Sequence, residues 1–220
     1  MRPPSPYLAP GFYDLALAQG RHRAIVGGRW DETGRLQLDL LRAEGMGPGH
    51  RLLDIGAGSL RLGCKAVPFL DPGQYWATDA SHALMLRGRA AELPDPARLP
   101  ADHLLEDADF AFPGIPETID YAIAFAVFTH LPADRLRPAL ARLRARCPGL
   151  VALLLTAFHA PVGHCGPLRQ PDGVVTHPDR PPWHRAPDTI AADFASAGWQ
   201  AAQRPDRLPR GQRLWVARPV

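Results

Sequence analysis

Three stretches of the chain run apolar with almost no polar interruption: Arg51 to Ile55, Ile119 to Phe125 and Val151 to Ala157. Such runs do not alternate apolar with polar residues, which is the pattern of strands covered by helices on both faces of a mostly parallel sheet. Shorter strand candidates are Tyr75 to Thr78 closing at Asp79, His103 to Glu106, Trp199 to Ala202 and Arg213 to Ala217. Between them the period changes to that of helices. A short pattern covers Tyr13 to Gly20, and a longer one Asp31 to Glu44, with Leu36, Leu40 and Ala43 on one stripe and Gly45 as its stop. Helical residues follow the second strand to about Ala91. A short turn is expected over Leu131 to Leu136, with the main helix starting near Pro138, because an interior proline forfeits a backbone bond and clashes with the preceding turn. A last helix, Asp188 to Ala197, stops at Gly198. This order predicts an α/β protein with a single doubly wound, mostly parallel seven-stranded sheet. Residues 1–49 are expected to form a loose arm and a helical cap, and residues 50–220 the α/β part, together one compact domain. A linker with Gly27 and Gly28 joins the short helical pattern to the longer one.

Composition narrows the picture. With 220 residues and 46% hydrophobic content the chain can bury one core. No run approaches the ~18 apolar residues of a membrane helix, and the start has no apolar stretch of signal-peptide length. A cytoplasmic protein without membrane partners is expected. Cys64, Cys147 and Cys165 are odd in number and widely separated, which suits buried or idle thiols rather than a disulfide framework or a CxxC knuckle. The net charge is +3, carried by arginine apart from Lys65. In RLRPALARLRARC the spacing of Leu136, Leu140 and Leu143 puts the leucines on one face and the arginines on the others, a solvated helix face rather than a nucleic-acid surface. Residues 158–187 hold seven prolines and four histidines. So long an irregular connection is expected to cover a site, with His184 or Trp183 facing the pocket and Arg169 and Arg185 as holders of a carboxylate. The spacing of His159, His164, His177 and His184 matches no compact zinc pattern, so no metal is expected.

The chemistry begins at RLLDIGAGSLRLG, residues 51–63. Gly56 and Gly58 follow the first strand directly and let the backbone turn tightly against a ligand. The dinucleotide fingerprint needs a glycine where Arg61 stands, and no GKS or GKT is present. Asp54, two residues before Gly56, would repel a diphosphate. Asp79 ends the second strand, where a carboxylate can accept both hydroxyls of a ribose. Glycines, a loop acid and a ribose acid together favour a nucleoside without phosphates.

On these residues the sequence resembles the class I S-adenosylmethionine-dependent methyltransferases, over about residues 50–157. Asp54, Gly56 and Gly58 match the family's acid-x-glycine-x-glycine pattern. Its frequent third glycine is replaced by Leu60, with Gly63 as the small residue that eases packing. GRHRAIVGGRWDETGRLQ, DIGAGSLRLG and FTHLP are similar to segments of a small bacterial methyltransferase-like subgroup. The resemblance implies a Rossmann-like fold, S-adenosylmethionine as cofactor, and cofactor contacts at Asp54, Gly56, Ala57, Gly58, Arg61, Asp79, Ala80, Asp107, Ala108 and Ala124. Asp107 would be the adenine-side acid, with Asp109 as the alternative. Tyr13, Arg21, His22 and Trp30 would lie near the methionine end.

Past the fourth strand the chain reads AFAVFTHLP. Ala124, Phe125, Ala126 and Val127 cannot grip a planar amide or base edge, so a small, partly apolar substrate fits better than a nucleic acid. His130 is the first titratable group beyond the strand. It is either a base near its free pKa or a turn residue bonded to a backbone carbonyl. Methyl transfer to a small molecule by a monomer or homodimer is the leading expectation, with Tyr13 and His130 as catalytic candidates. An azetidine-forming cyclase that expels methylthioadenosine, using Tyr13, Tyr121 or a loop histidine, is a second expectation. A non-catalytic cofactor-binding module is a third.

Overall fold

The computed structural model describes residues 5, 7, 9 and 11–220. Three helices precede the sheet: α1 (Asp14–Ala18), α2 (His22–Ile25) and α3 (Trp30–Ala43). There follow β1 (Leu52–Ile55), α4 (Gly63–Phe69), β2 (Tyr75–Asp79), α5 (His82–Glu92), β3 (Leu104–Glu106), β4 (Tyr121–Ala124), α6 (Leu136–Arg146) and β5 (Ala152–His159). The chain closes with β6 (Leu168–Arg169), β7 (Val175–Thr176), β8 (His184–Arg185), α7 (Pro187–Ser196), β9 (Trp199–Arg207) and β10 (Arg213–Pro219). The main sheet runs β3-β2-β1-β4-β5-β10-β9, with β8 added on β5. The ladders from β3 to β5 are parallel, and β10 is antiparallel to both neighbours.

The apolar runs make this sheet because both faces are covered. All four residues of β1 are buried. Leu52 joins one core cluster with Met85 and Leu62, while Leu53 and Ile55 join a second with Leu140 and Phe194. Neighbouring strand residues thus feed opposite helical layers, as the doubly wound reading expects. In α6 Leu136, Leu140 and Leu143 are buried, as their spacing predicts.

Several boundaries differ from expectation for physical reasons. Helix α6 starts at Leu136, so Pro138 falls in its first turn, where the missing N–H has no partner to lose. The linker around Gly27 contains α2, and a further helix, α4, stands between β1 and β2. Residues 158–187 are not structureless: β6 and β7 form a hairpin, and β8 pairs with the end of β5. Of the expected N-terminal arm, residues 1–4, 6, 8 and 10 lie outside the described residues, while Ser5 is buried. No helix among the described residues is long and apolar enough to cross a membrane.

Candidate functional site

The loop after β1 is shaped by what it lacks. Gly56 (φ 70°) and Gly58 (φ 57°) both take the left-handed backbone. A Cβ on Gly56 would lie 2.5 Å from Val127 Cγ2, and one on Gly58 2.6 Å from Val26 Cγ1. Leu60, at the position of the resembled family's third glycine, adopts φ 63° itself and is fully buried. The left-handed leucine costs roughly 1 kcal/mol or somewhat more, which the ~1.5–3 kcal/mol of burying its side chain offsets. Gly63 supplies the room, since a Cβ there would stand 2.9 Å from Leu60 Cβ.

Three carboxylates, Asp54 on β1, Asp79 at the end of β2 and Asp107 just after β3, line the same cavity as this loop. Asp79 accepts the Gly58 amide at 2.9 Å on Oδ2 and the Ser81 amide at 3.0 Å on Oδ1, tying β2 to the glycine turn. Burial raises its pKa to about 6 against the lowering pull of those amides. Asp54 accepts the Tyr75 hydroxyl at 2.6 Å. Burial pushes its pKa up to about 7, with Tyr75 and then Arg61 acting in the opposite direction. Asp107 accepts the amides of Asp109 (3.2 Å), Ala111 (3.0 Å) and Phe112 (2.8 Å), and so folds the loop after β3. Asp109, the alternative, is exposed and pairs with Arg135 at 2.7 Å.

These groups border a single cavity of about 210 Å³. Every sequence-predicted cofactor residue lines it except Ala124, as do Tyr13 and His130. Ala124 is wholly buried in the core layer of Leu140 and Leu143. Strand alternation turns it away, and Phe125, Ala126 and Val127 form the floor instead.

The cap closes the opposite wall. Arg61 donates through Nη1 to the carbonyls of Val26 (2.9 Å) and Gly28 (3.3 Å). Gly27, Gly28 and Arg29 are consecutive left-handed residues that turn this loop over the guanidinium. Among the described residues, Arg61 Nε and Gln37 Oε1 are buried without a hydrogen-bond partner. Gln37 and Thr33, one turn apart on α3, line the cavity. Sequence reading missed both; the available signal was two polar residues at i, i+4 on the helical stripe that also carries Gly34 and Leu41.

Arg21, His22 and Trp30 do not reach the cavity. His22 Nε2 meets Glu92 Oε1 at 2.8 Å, Arg23 forks onto the same carboxylate, and Trp30 stands edge-on to His22. This group docks α2 onto the end of α5. Tyr13 does arrive, with its ring 6.4 Å from Tyr7, and Tyr7 lies 4.8 Å from the His130 ring. Burial and the nearby tyrosine and aspartate raise the Tyr13 pKa. His130 is not near its free value: burial first, and Arg210 second, lower it to about 4. The turn is made by the His130 amide on Val127 O (3.0 Å) and by Thr129 Oγ1 on Ala126 O (3.0 Å), with no His130 ring bond to a carbonyl among the described residues.

In the late segment Val174 and Pro182 line the cavity, while Trp183 and His184 do not. His184 is buried against Thr176 Oγ1 at 2.8 Å. Arg185 is paired with Asp193, and Arg169 bonds the Gly173 carbonyl. Arg210 and Gln212, from the connection between β9 and β10, line the cavity and were not foreseen. Among the described residues no three His, Cys, Asp or Glu side chains are grouped to hold a metal.

No family model matches the sequence, and no curated protein matches it. Solved structures do match in fold. The DhpI-SAM-HEP complex aligns over 100% of both chains with a TM-score of 0.66 at 14% identity. SAM-bound CalS10, an amino pentose methyltransferase from Micromonospora echinaspora involved in calicheamicin biosynthesis, aligns over 92% of this chain and 95% of its own, with a TM-score of 0.60 at 19% identity. The glycopeptide N-methyltransferase MtfA aligns over 88% of this chain and 92% of its own, with a TM-score of 0.60 at 18% identity. The fold is thus the Rossmann-like class I methyltransferase fold, with an N-terminal helical region.

Proposed function

We propose that the cavity binds S-adenosylmethionine and that the protein uses it to act on a small molecule, with methyl transfer to that acceptor as the main reaction. One observation carries this: Asp79 bonds the amide of Gly58 and opens onto the same cavity as Asp54 and Arg61. The residues suit the group. A cradle that a Cβ would fill admits it, the remaining lone pairs of Asp79 suit ribose hydroxyls, and the loop after β3, with Asp107 and Ala108, borders the base. The buried, unpartnered donor Arg61 Nε and acceptor Gln37 Oε1 match a carboxylate and an ammonium. The similar structures named above include two methyltransferases, of an amino pentose and of a glycopeptide.

When bound, the cofactor would supply an electrophilic methyl group: the acceptor would gain the methyl, the carbon–sulfur electron pair would stay on sulfur as S-adenosylhomocysteine, and any acceptor proton would pass to solvent. The chain's contribution is alignment and exclusion of water. Phe125, Ala126 and Val127 give an apolar floor. His130, neutral at pH 7, accepts a hydrogen bond from the acceptor and orients it.

A second reading is favoured by the aromatic wall of Tyr7 and Tyr13, backed by Phe12 at 5.1 Å from each. Such a wall would keep the cofactor's own amine desolvated, as the azetidine-forming cyclisation requires. One assay separates the readings. Labelled S-adenosylmethionine incubated with protein alone yields methylthioadenosine if the protein cyclises it. S-adenosylhomocysteine appears only with an acceptor if it methylates, and neither forms if it merely binds. Absence of any calorimetric signal with S-adenosylhomocysteine would sink the proposal.

A further inference from the structure

Past β4 the cavity carries groups that the function just proposed leaves unused. Arg210 holds φ 64° and ψ 15°, an uncommon backbone for a side chain of its size. Gly211 follows at φ 78°, so close to residues 170–171 that a Cβ would stand 3.1 Å from Gln170 Cβ and from Pro171 Cδ. The bend is therefore pinned, and it aims the Arg210 guanidinium at the cavity, where Nη2 donates to the Gly27 carbonyl at 2.8 Å. Its charge is felt by both Tyr7 and His130. Among the described residues no carboxylate lies within 4.0 Å of it.

Gln212 stands two residues on, buried and lining the same cavity. Thr156 Oγ1 accepts the Ala126 amide at 2.7 Å and lies 2.6 Å from Gln212 Oε1. The threonine proton goes to that oxygen, so the carboxamide is oriented with its NH2 away from Thr156. Among the described residues this NH2 has no hydrogen-bond partner. The sheet order places Thr156 and Gln212 at other strands than the cavity's acids. Asp54 lies on β1, Asp79 ends β2 and Asp107 follows β3, whereas Thr156 lies on β5 and Gln212 just before β10. Arg210 also neighbours Arg61, since the two guanidiniums bond adjacent carbonyls of the Val26–Gly28 loop and Arg210 lowers the Arg61 pKa after burial does. Among the described residues no anion meets Arg210 and Gln212.

We propose that Arg210 and Gln212 form an anion subsite for the acceptor, so that the small molecule taken here carries an oxyacid group, a carboxylate or a phosphoryl group, beside the nucleophile that faces His130. This inference rests on the methyl-transfer reading above. A guanidinium and an amide NH2 together match two oxygens of such a group.

The test is calorimetry on protein saturated with S-adenosylhomocysteine, with benzoate and phenylphosphonate as probes and benzamide as the neutral counterpart. At least one anion is expected to bind, and benzamide at least tenfold more weakly. Preference for benzoate would assign a carboxylate acceptor, preference for phenylphosphonate a phosphoryl one. Arg210→Asn, whose side chain tolerates the left-handed backbone, should lower anion affinity at least tenfold while S-adenosylhomocysteine affinity stays within twofold. Arg210→Lys should retain part of the anion binding. Equal binding of benzamide, failure of both anions, or an equal loss of S-adenosylhomocysteine affinity in Arg210→Asn would overturn the subsite. Failure of S-adenosylhomocysteine to bind the unaltered protein would appear in the first titration and would overturn the cavity's proposed function instead.

Discussion

The two ends of the cavity are made of different material. At the ends of β1, β2 and β3, backbone amides and buried carboxylates on adjacent strands define the surface, with Gly58, Ser81 and Tyr75 as their fixed partners. Past β4, the surface is assembled from side chains such as Tyr7, Tyr13, His130, Val174, Pro182 and Arg210, most of them in connections. The first end is rigid because strand pairing positions it. The second depends on loops, which vary without disturbing the sheet. On the proposed function, such a cavity would hold the cofactor against its strands and select the acceptor by its loops.

The sharpest way to break this contrast is to disturb the rigid end. Helix α5 lies so close to the glycine loop that a Cβ on Gly88 would sit 2.2 Å from the Ser59 carbonyl oxygen. Both are backbone-fixed, so Gly88→Ala must separate helix from loop. A loss of about 3 kcal/mol is expected, a fall of roughly 6–12 °C in Tm by thermal unfolding. Gly149→Ala, which meets nothing within 4 Å, is the control. Equal melting of the two variants would show that the contact is not tight. Next in size is Asp79→Ala, which removes a charged acceptor from the proposed ribose site and should weaken S-adenosylhomocysteine binding by ~1.5–3 kcal/mol. A folded variant with undiminished affinity in calorimetry takes Asp79 out of the site.

The same contrast explains what the amino-acid sequence made legible. The rigid end is encoded locally: an apolar run, an acid and two glycines in RLLDIGAGSLRLG, and an acid closing YWATD. Strand pairing alone then brings Asp79 to Gly58. Ala124 was misplaced because YAIAFA is apolar throughout and nothing in it marks which alternate residues face the cavity. Helix α2 was hidden because it spans four residues between Gly20 and Gly27. Arg210 and Gln212 were invisible for another reason. Their place depends on β10 returning antiparallel beside β5 and on a left-handed turn at a non-glycine residue, neither of which has a local signature.

A smaller effect sharpens the electrostatics of the rigid end. Asp54 has its pKa raised to about 7 by burial. A ligand carrying an ammonium and a sulfonium favours the ionised carboxylate and lowers that value, so binding releases a proton below about pH 7. Affinity for S-adenosylmethionine is then full above pH 7 and falls as the pH drops, by at most about tenfold per unit. Calorimetry at pH 6.5 in two buffers of different ionisation heat measures the released proton, and Asp54→Asn should abolish it.

The smallest effect is expected at the residue whose chemistry looks most suggestive. A histidine acting as general base contributes ~10²–10⁴-fold, and best with a pKa near the working pH. His130 sits at about 4, pushed down by burial and then by Arg210, so between pH 5.5 and 8 it is already neutral and has nothing to titrate. His130→Gln keeps a hydrogen-bond acceptor at this position and should lower turnover by less than ~10-fold, well short of the loss of a base. The pH profile of product release from labelled S-adenosylmethionine should keep its shape over that range. His130→Leu, which removes the acceptor, should cost more. If the profile of the unaltered protein instead rises through pH 6–7 and His130→Gln flattens it, then His130 carries a proton in the reaction, and the loop-built end of the cavity does chemistry as well as recognition.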